Sequence, residues 1–424
     1  MDIQPIFRCA VGMDVHLAII HVCVILQEAG CEPEVHRRQF GAFQRDRRAM
    51  AEWIAGFVPD TVVMESTGIY WKSPYAALEK VGIRARVVNA QHVKKVPGRK
   101  TDINDAEWLA MLARAGLLRG SFIPPEKLRN LRQISRYHHR STAMLAAEKN
   151  RLVRLLSDAG IRLTAVVSDP HGVAARAMID CLLDGGTPEQ ALRYAGRLRA
   201  PREELLASLQ GELSEEHLFV ARLIRRHIAT LQTQLADLEH RLFDELKPYE
   251  AAVQLLLTIP GIDRLSAATL LVEIGVDMTA FGTADRLSKW AGVCPGNHES
   301  AGKRKRGKTA PGNRYVRAIL CEIAWAASRT TSQFKSKFQG LVIRRGTKRA
   351  IIALAHKVLD GIRAAVAPGS LSRFHRRLPG PRSQTQCTAL DQATEEIRLP
   401  AQNRLISLRR GSQKNVALAA PGTF

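Results

Sequence analysis

The sequence predicts a mixed α/β domain at the N-terminus, followed by a mainly helical region. Three observations support this fold class: β-rich runs open the chain, helices and strands then alternate, and two later segments have long helical leucine spacing. At 424 residues the chain can hold two or three domains, each with its own core. We predict domains at residues 1–125, 126–250 and 251–367, followed by a tail at residues 368–424 that is largely disordered by itself.

The N-terminal domain is predicted to begin with three strands. Residues 10–15, 18–26 and 35–40 are β-rich, and the short breaks between them indicate an antiparallel meander. Helices at residues 43–57 and 70–80 then alternate with short strands at 61–65 and 85–89, and a last helix follows at 106–115. The order β-β-β-α-β-α-β-α is typical of the ribonuclease-H-like fold, whose mixed sheet carries catalytic carboxylates at strand ends and on one helix.

Four carboxylates in this domain form a candidate metal site. Asp14 lies in an apolar strand, Glu65 ends the fourth strand, and Asp102 and Asp105 open the last helix. A carboxylate on a buried strand is costly unless it is paired or bound to a metal. Taken alone, Glu65 could instead cap a helix, and Asp102 and Asp105 could serve a helix N-terminus. Oxygen ligands suit Mg²⁺, which supports phosphodiester chemistry. The basic residues expected to hold the phosphate are Arg99 and Lys100.

The middle domain is predicted to contain two long helices. The first covers residues 126–160, and short helical pieces occupy residues 164–210. The second helix carries a heptad seam, which can be the core of an antiparallel hairpin within one chain or a coiled-coil contact between two chains. The seam residues are Ile224, Ile228, Leu231, Leu235, Leu238 and Leu242.

The C-terminal domain contains a Pro-Gly turn between two helical runs, at residues 258–262. This is the pattern of a helix-hairpin-helix-like element, whose turn amides can hold a phosphate. Asp263 would repel a phosphate there, so a purely structural turn is the alternative. A helix is predicted at residues 314–328, with Trp325 in the core.

A basic loop precedes that helix. Seven Lys/Arg and one acid lie between Glu299 and Arg317, among glycines and prolines. Such a loop can follow a phosphate backbone, or it can be a solvated charge run. The residues expected to bind nucleic acid are Lys303, Arg304, Lys305, Arg306, Lys308, Arg314 and Arg317.

The overall charge favours a nucleic-acid partner. The net charge is +23, and only nine Lys/Arg and three Asp/Glu lie after residue 368, so the folded part is itself basic. A polyanion would bind it with strong salt dependence. The seven cysteines include no C-x-x-C pair, and the apolar run at residues 17–26 is too short to span a bilayer. We therefore expect a cytoplasmic protein with reduced thiols and no membrane partner.

The motifs resemble those of the DEDD transposases of the insertion-sequence 110 and 1111 group, relatives of RuvC-type Holliday-junction resolvases. The resemblance covers roughly residues 10–366. The matching motifs are Gly12-Met-Asp14, Met64-Glu-Ser-Thr-Gly-Ile-Tyr-Trp71, Lys95-Val-Pro-Gly-Arg-Lys-Thr-Asp102-Ile-Asn-Asp105, Ile259-Pro-Gly-Ile262, Trp290-Ala-Gly-Val-Cys-Pro-Gly-Asn297, Glu299-Ser-Ala-Gly-Lys303 and Gly312-Asn-Arg314. Residues 368–424 depart from the family pattern, which a frameshift or a fused tail would explain.

The resemblance implies a two-part active site. Asp14, Glu65, Asp102 and Asp105 would bind Mg²⁺ in a RuvC-like domain, and Ser300 in a C-terminal transposase domain would be the nucleophile. It also implies a dimer or tetramer, and a structured guide RNA from the element's ends that pairs with donor and target DNA. The alternatives are a junction resolvase that uses a metal-activated water, a site-specific DNA invertase, and a non-catalytic RNA- or DNA-binding protein.

Overall fold

The computed structural model describes residues 5–28, 30–65, 68–93, 104–295, 299–300, 303–304, 309 and 311–366. The chain forms two compact units, Met1–Ile123 and Pro124–Phe424. The four-segment division predicted from the sequence is finer than this and stays a prediction. In the described part of the chain, no helix is both long and apolar enough to cross a membrane.

The first unit is built on a five-stranded sheet. Its strands are β1 (Cys9–Val15), β2 (Ile19–Leu26), β3 (Glu34–Gly41), β4 (Thr61–Glu65) and β5 (Arg86–Val88), and its helices are α1 (Gln44–Ala55), α2 (Lys72–Lys80), α3 (Ala90–Val93) and α4 (Asp105–Arg114). The strand order is β3-β2-β1-β4-β5. The first three strands pair antiparallel, while β4 and β5 run parallel to β1. The predicted mixed sheet with flanking helices is confirmed.

Helices cover both faces of this sheet, because successive side chains of a strand point to opposite sides. On one face, Met13 and Met64 pack with Met50 of α1 and Leu78 of α2. On the other, Ala10, Val63 and Val88 pack with Leu109 and Leu112 of α4. Burying each large apolar side chain contributes roughly 1.5–3 kcal/mol. The predicted helix at residues 106–115 is one residue early in the structure, and α3 was missed because four residues carry no usable periodicity.

The second unit is mainly helical. Its elements are α5 (Glu126–Asp158), α6 (Val173–Leu183), α7 (Pro188–Ala191), α8 (Arg202–Leu209), α9 (Glu215–Leu246), α10 (Glu250–Leu257), α11 (Arg264–Ile274), α12 (Ala284–Ala291), β6 (Glu299–Ser300), β7 (Lys303–Arg304), α13 (Arg314–Arg329), α14 (Gln333–Arg345) and α15 (Thr347–Val366). The two predicted long helices are α5 and α9. The short predicted pieces between them are α6, α7 and α8.

The long helices α5 and α9 pack against each other as an antiparallel hairpin. Leu128 at the start of α5 lies with Leu242 near the end of α9. Leu152 near the end of α5 lies with Ile224 near the start of α9. The heptad seam therefore contributes to a core within one chain. A coiled-coil contact between two chains stays a prediction.

Asp263 at the start of α11 and Trp325 on α13 were both singled out in the sequence. Asp263 caps α11 and accepts a hydrogen bond from the backbone N–H of Ser266 at 2.8 Å, so its carboxylate occupies the place where an anion would bind. Phosphate binding by this turn stays a prediction. Trp325 was expected in the core, and this was wrong: it is 41% exposed, and its ring contacts Phe338 of α14 with centroids 5.8 Å apart.

Candidate functional site

Two of the predicted metal ligands lie side by side in the sheet. The parallel pairing of β1 with β4 aligns Met13 with Met64, and the next residue on each strand is Asp14 and Glu65. Adjacent strands are about 4.8 Å apart, and residues in register point to the same face. Both carboxylates therefore lie at the C-terminal edge of the parallel strands. The Asp14 side chain is only 17% exposed.

The third predicted ligand comes from the helix that covers this face. At Gly12, an added Cβ would lie 2.0 Å from the backbone oxygen of Ala106, so only glycine allows α4 this close to β1. The backbone oxygen of Arg114, at the end of α4, accepts hydrogen bonds from the backbone before β1. Helix α4 therefore runs antiparallel to β1, and its first residue, Asp105, faces the edge that carries Asp14.

The first turn of α4 is fixed by local hydrogen bonds. The side chain of Asn104 caps the helix and accepts from the backbone N–H of Ala106 at 3.1 Å. Glu107 accepts two hydrogen bonds from Arg37 on β3, both at 2.9 Å. This pairing raises the pKa of Arg37 and commits Glu107 to a structural role. The four residues line a cavity of about 160 Å³ together with His21.

Two histidines beside Asp14 were missed by the sequence reasoning. His16 Nε2 lies 3.0 Å from Asp14 Oδ2, within hydrogen-bond distance. His21 pairs with Asp14 across the β1–β2 ladder, and its ring lies edge-on to that of His16 with centroids 6.2 Å apart. Neither histidine stood out in the sequence, because the approach of both rings to Asp14 depends on the turn between β1 and β2.

The described residues form only part of the predicted metal centre. Asp14, Glu65 and Asp105 supply hard oxygen donors of the kind that Mg²⁺ prefers. Among the described side chains, no group of three His, Cys, Asp or Glu lies close enough to hold an ion. Asp102, Arg99 and Lys100 lie outside the described residues, as do Lys305, Arg306 and Lys308 of the basic loop.

The predicted nucleophile lies in a short hairpin of the second unit. Backbone pairing joins Ser300 of β6 to Lys303 of β7, and Glu299 to Arg304. The base of this hairpin is closed by a β-bridge between Pro295 and Thr309. We call residues 295–309 the serine loop.

A second closure follows the serine loop. The backbone N–H of Asn313 donates to the backbone oxygen of Trp290 at 2.8 Å. An added Cβ at Gly312 would lie 2.3 Å from the backbone nitrogen of Gly292, so this approach also requires glycine. The two ends of the loop are thus held together at two levels.

The predicted nucleic-acid residues Arg314 and Arg317 lie in the first turn of α13. Arg314 Nη2 donates to the hydroxyl of Tyr315 at 2.9 Å. Burial raises the pKa of Tyr315, but the hydrogen bond and charge of Arg314 outweigh it and leave that pKa below its ordinary value. Arg317 Nη1 lies 3.4 Å from the hydroxyl of Thr309 and so reaches the base of the serine loop.

A buried carboxylate anchors the start of α13. Glu273 on α11 is fully buried and accepts hydrogen bonds from Arg136 of α5 at 2.7 and 3.0 Å. Asn313, which caps α13, donates to the same carboxylate at 2.7 Å. Arg132 Nε lies 3.3 Å from it as well. We call these four residues the Glu273 network.

Charge explains why this network is stable while buried. Burial raises the pKa of Glu273, but the hydrogen bond from Arg136 and the charge of Arg132 outweigh it, so the pKa is lowered overall. Burial lowers the pKa of Arg132 to about 10, which leaves the guanidinium charged at neutral pH. The network therefore joins α5, α11 and α13 through groups that all remain ionised or hydrogen-bonded.

Two family models match the chain. One, for DEDD transposases of the IS110 type, is described as "Transposase" and matches residues 11–161. The other is described as "Transposase IS116/IS110/IS902 family" and matches residues 253–339. The first match includes the carboxylates on β1, β4 and α4, and the second includes the serine loop.

Curated relatives agree with the family models. A putative transposase, y4pF/y4sB, from Sinorhizobium fredii is 25% identical over 323 residues, which is 74% of each chain. A second putative transposase from the same organism, y4qE, is 25% identical over 325 residues, or 74% of this chain and 70% of the relative. The insertion element IS900 uncharacterized 42 kDa protein of Mycobacterium paratuberculosis is 26% identical over 164 residues, and the chain spans 38% of its length.

Among solved structures, Thermus thermophilus RuvC matches 27% of this chain and 99% of its own, with 15% identity and a TM-score of 0.21. RuvC in complex with a Holliday junction substrate matches 26% of this chain and 99% of its own, with 14% identity and a TM-score of 0.20. The family assignment comes from the sequence matches at residues 11–161 and 253–339. The chain belongs to the IS110 family of transposases.

Proposed function

We propose that this chain cleaves and rejoins DNA strands to excise and insert its element, using two half-sites. One half-site is the carboxylate group on the first unit, and the other is the serine loop of the second. The observation that carries this proposal is the register of β1 and β4, which brings Asp14 and Glu65 to one edge of the sheet. Helix α4 begins at Asp105 near the same edge.

The carboxylates would hold the metal. Asp14, Glu65, Asp102 and Asp105 together offer oxygen donors suited to Mg²⁺, and a metal ion would offset the cost of holding the largely buried Asp14 ionised. When bound, Mg²⁺ would polarise the scissile phosphate and stabilise the charge that develops on it. His16 holds the Asp14 carboxylate in one orientation, while Arg99 and Lys100 would bind the phosphate.

Ser300 would attack the scissile phosphorus. The bond from its Oγ to phosphorus forms and the bond to the departing DNA oxygen breaks, with the serine proton ending on that oxygen. In the rejoining step a DNA hydroxyl attacks the same phosphorus, the bond to Oγ breaks, and the proton of that hydroxyl returns to the serine. A serine hydroxyl is a weak nucleophile at its free pKa, so it depends on the carboxylate half-site for activation. Arg314, Arg317 and the basic residues of the serine loop would follow the DNA backbone.

Partners of this reaction follow from the same proposal. A net charge of +23 suits binding to DNA ends and target, and to a structured guide RNA whose base pairing supplies sequence specificity. A dimer or tetramer in the cytoplasm would bring a serine half-site to each carboxylate half-site. The family resemblance supports the RNA and the oligomer.

The test is covalent trapping on a nicked DNA substrate with Mg²⁺. Ser300→Ala should abolish the protein–DNA adduct and retain DNA binding, while the exposed Ser121→Ala should behave as wild type. Asp14→Asn should also abolish the adduct.

Three other outcomes would contradict this proposal. An adduct that survives Ser300→Ala would exclude the serine role. Cleavage that depends on Asp14 but never yields an adduct would favour a junction resolvase. Absence of cleavage with Mg²⁺ or Mn²⁺, together with binding unaffected by Asp102→Asn, would favour a non-catalytic binding protein.

A further inference from the structure

Helices α14 and α15 of the second unit are joined at a sharp corner. Helix α14 ends at Arg345, Gly346 has φ +74°, and α15 begins at Thr347. The corner is fixed by a 2.9 Å hydrogen bond from the backbone N–H of Gly346 to the backbone oxygen of Val342. Apart from the two residues next to Gly346, no atom of the described residues lies within 4 Å of a Cβ built at Gly346, so this side of the corner is open among them.

This corner is strongly cationic. Residues 323–359 contain eight Lys/Arg and no Asp/Glu. Four of the eight lie at the corner itself, all exposed: Arg344, Arg345, Lys348 and Arg349. None of the four forms an ion pair with any residue of the described part. Since nothing described neutralises them, they are available to an anionic partner.

One apolar side chain stands among these cations. Ile343 is 88% exposed, the highest value for a large apolar side chain in the described part of the chain. Leaving such a side chain in water forgoes roughly 1.5–3 kcal/mol relative to burial. A protein partner would have to combine an apolar pocket with several acidic side chains to suit both Ile343 and the four cations around it. Duplex DNA suits both, because its phosphates take the cations and its stacked bases accept an apolar wedge.

We propose that Ile343, Arg344, Arg345, Lys348 and Arg349 form a minor-groove contact with duplex DNA, which we call the DNA wedge. Ile343 inserts between two base pairs and kinks the duplex, while the four cations hold the phosphates on either side. The proposal rests on the proposed function only in taking DNA as the substrate. The wedge residues lie beyond residue 339, where the second family match ends.

The bend follows from the energetics of such wedges. Unstacking one base step costs a few kcal/mol, which is offset when the bent duplex contacts more protein surface. The four cations (three arginines and Lys348) set the affinity for the duplex through counterion release, while Ile343 sets the bend angle. The two effects can therefore be separated by substitution.

The experiment uses the full chain and a duplex of about 30 bp labelled at both ends, so that energy transfer reports the bend and anisotropy reports binding. Ile343→Ala should reduce the bend by roughly 20° or more and leave the salt dependence of binding unchanged. The double change Arg344→Gln with Arg345→Gln should reduce the magnitude of the slope of log K against log salt by about 1.8. Between 50 and 200 mM salt, the variant should therefore lose about tenfold less affinity for the duplex than the wild type loses.

Matched controls come from the same unit. Val173, 80% exposed at the start of α6, is changed to alanine as the apolar control. Arg193 and Arg197, both exposed and remote in sequence, are changed to glutamine as the charge control. Neither control should alter the bend. The Arg193/Arg197 control should change the salt slope only slightly, through the loss of net positive charge.

The wedge would be refuted by an unchanged bend in Ile343→Ala, by an unchanged salt slope in the arginine variant, or by equal effects in the controls. Tighter binding of single-stranded DNA or duplex RNA through the same residues would also refute it. So would a shift in oligomer mass with Ile343→Ala, which would assign the side chain to a second copy. Failure of the wedge with Ser300-dependent adducts intact would leave the proposed function standing.

Discussion

The Glu273 network allows the sharpest stability prediction. Glu273→Gln keeps the size of the side chain but removes its charge and one acceptor. Arg136 donates to both carboxylate oxygens and Asn313 donates to Oε2, so whichever position the remaining amide oxygen takes, the NH₂ group at the other position faces a guanidinium donor. Because the partly buried Arg132 and Arg136 then lack a counter-charge, we expect a loss of about 3–5 kcal/mol in unfolding free energy. For a unit of this size, that lowers Tm by about 6–20 °C.

The same prediction fixes a pH dependence. The pKa of Glu273 is lowered below its ordinary value of 4.5 in the folded protein. A carboxylate with a depressed pKa contributes stability above the unfolded-state pKa, and that contribution disappears as the pH falls through the folded-state pKa. The stability difference between wild type and Glu273→Gln should therefore be full at neutral pH and shrink below pH about 4.5.

Chemical unfolding followed by circular dichroism measures both effects. Glu322→Gln, which changes an exposed acid on α13, is the control and should stay within about 0.5 kcal/mol of wild type. A double-mutant cycle with Arg136→Met isolates the Arg136–Glu273 pair. A loss below about 1 kcal/mol in Glu273→Gln, or no coupling in the cycle, would refute the reasoning.

Two further predictions concern the first unit. Gly12→Val should place a Cβ 2.0 Å from the Ala106 backbone oxygen and force α4 away from the sheet. We expect this to lower the unfolding free energy by about 3 kcal/mol or more, measured by thermal unfolding. An unchanged Tm would disprove the close approach. His16→Ala removes the 3.0 Å partner of Asp14 and should slow strand cleavage by about 10–100-fold without weakening DNA binding. Wild-type cleavage kinetics in that variant would show that His16 does not orient the carboxylate.

Much of the first unit was predictable because its signals are local. A single acid in an apolar run marked Asp14, and β4 was predicted with the bounds that the structure has. The register that aligns Asp14 with Glu65 was not predictable, because it depends on pairing between strands about fifty residues apart. Nor did the pattern reveal that Gly12 is required by the approach of α4.

The Glu273 network shows where the same reasoning stopped too early. Glu273 is also a single acid in an apolar helical run, so the argument used for Asp14 could have identified it as a buried, paired group. Its partners could not have been identified, since Arg136 is 137 residues away and Asn313 is 40 residues away. Likewise, the heptad seam predicted a buried stripe on α9 but not whether its partner was α5 or a second chain. The roles of Ser300 and Asp102 stay predictions.

The closed base of the serine loop separates the length of the loop from the stability of the helices beneath it. The Pro295–Thr309 bridge and the Gly312 approach hold the two ends of the loop together at the helical scaffold. Loop length itself costs little, roughly 0.6 kcal/mol for each doubling. We therefore expect an insertion of a few residues between Pro295 and Thr309 to change the stability of the helices beneath the loop by less than about 1 kcal/mol.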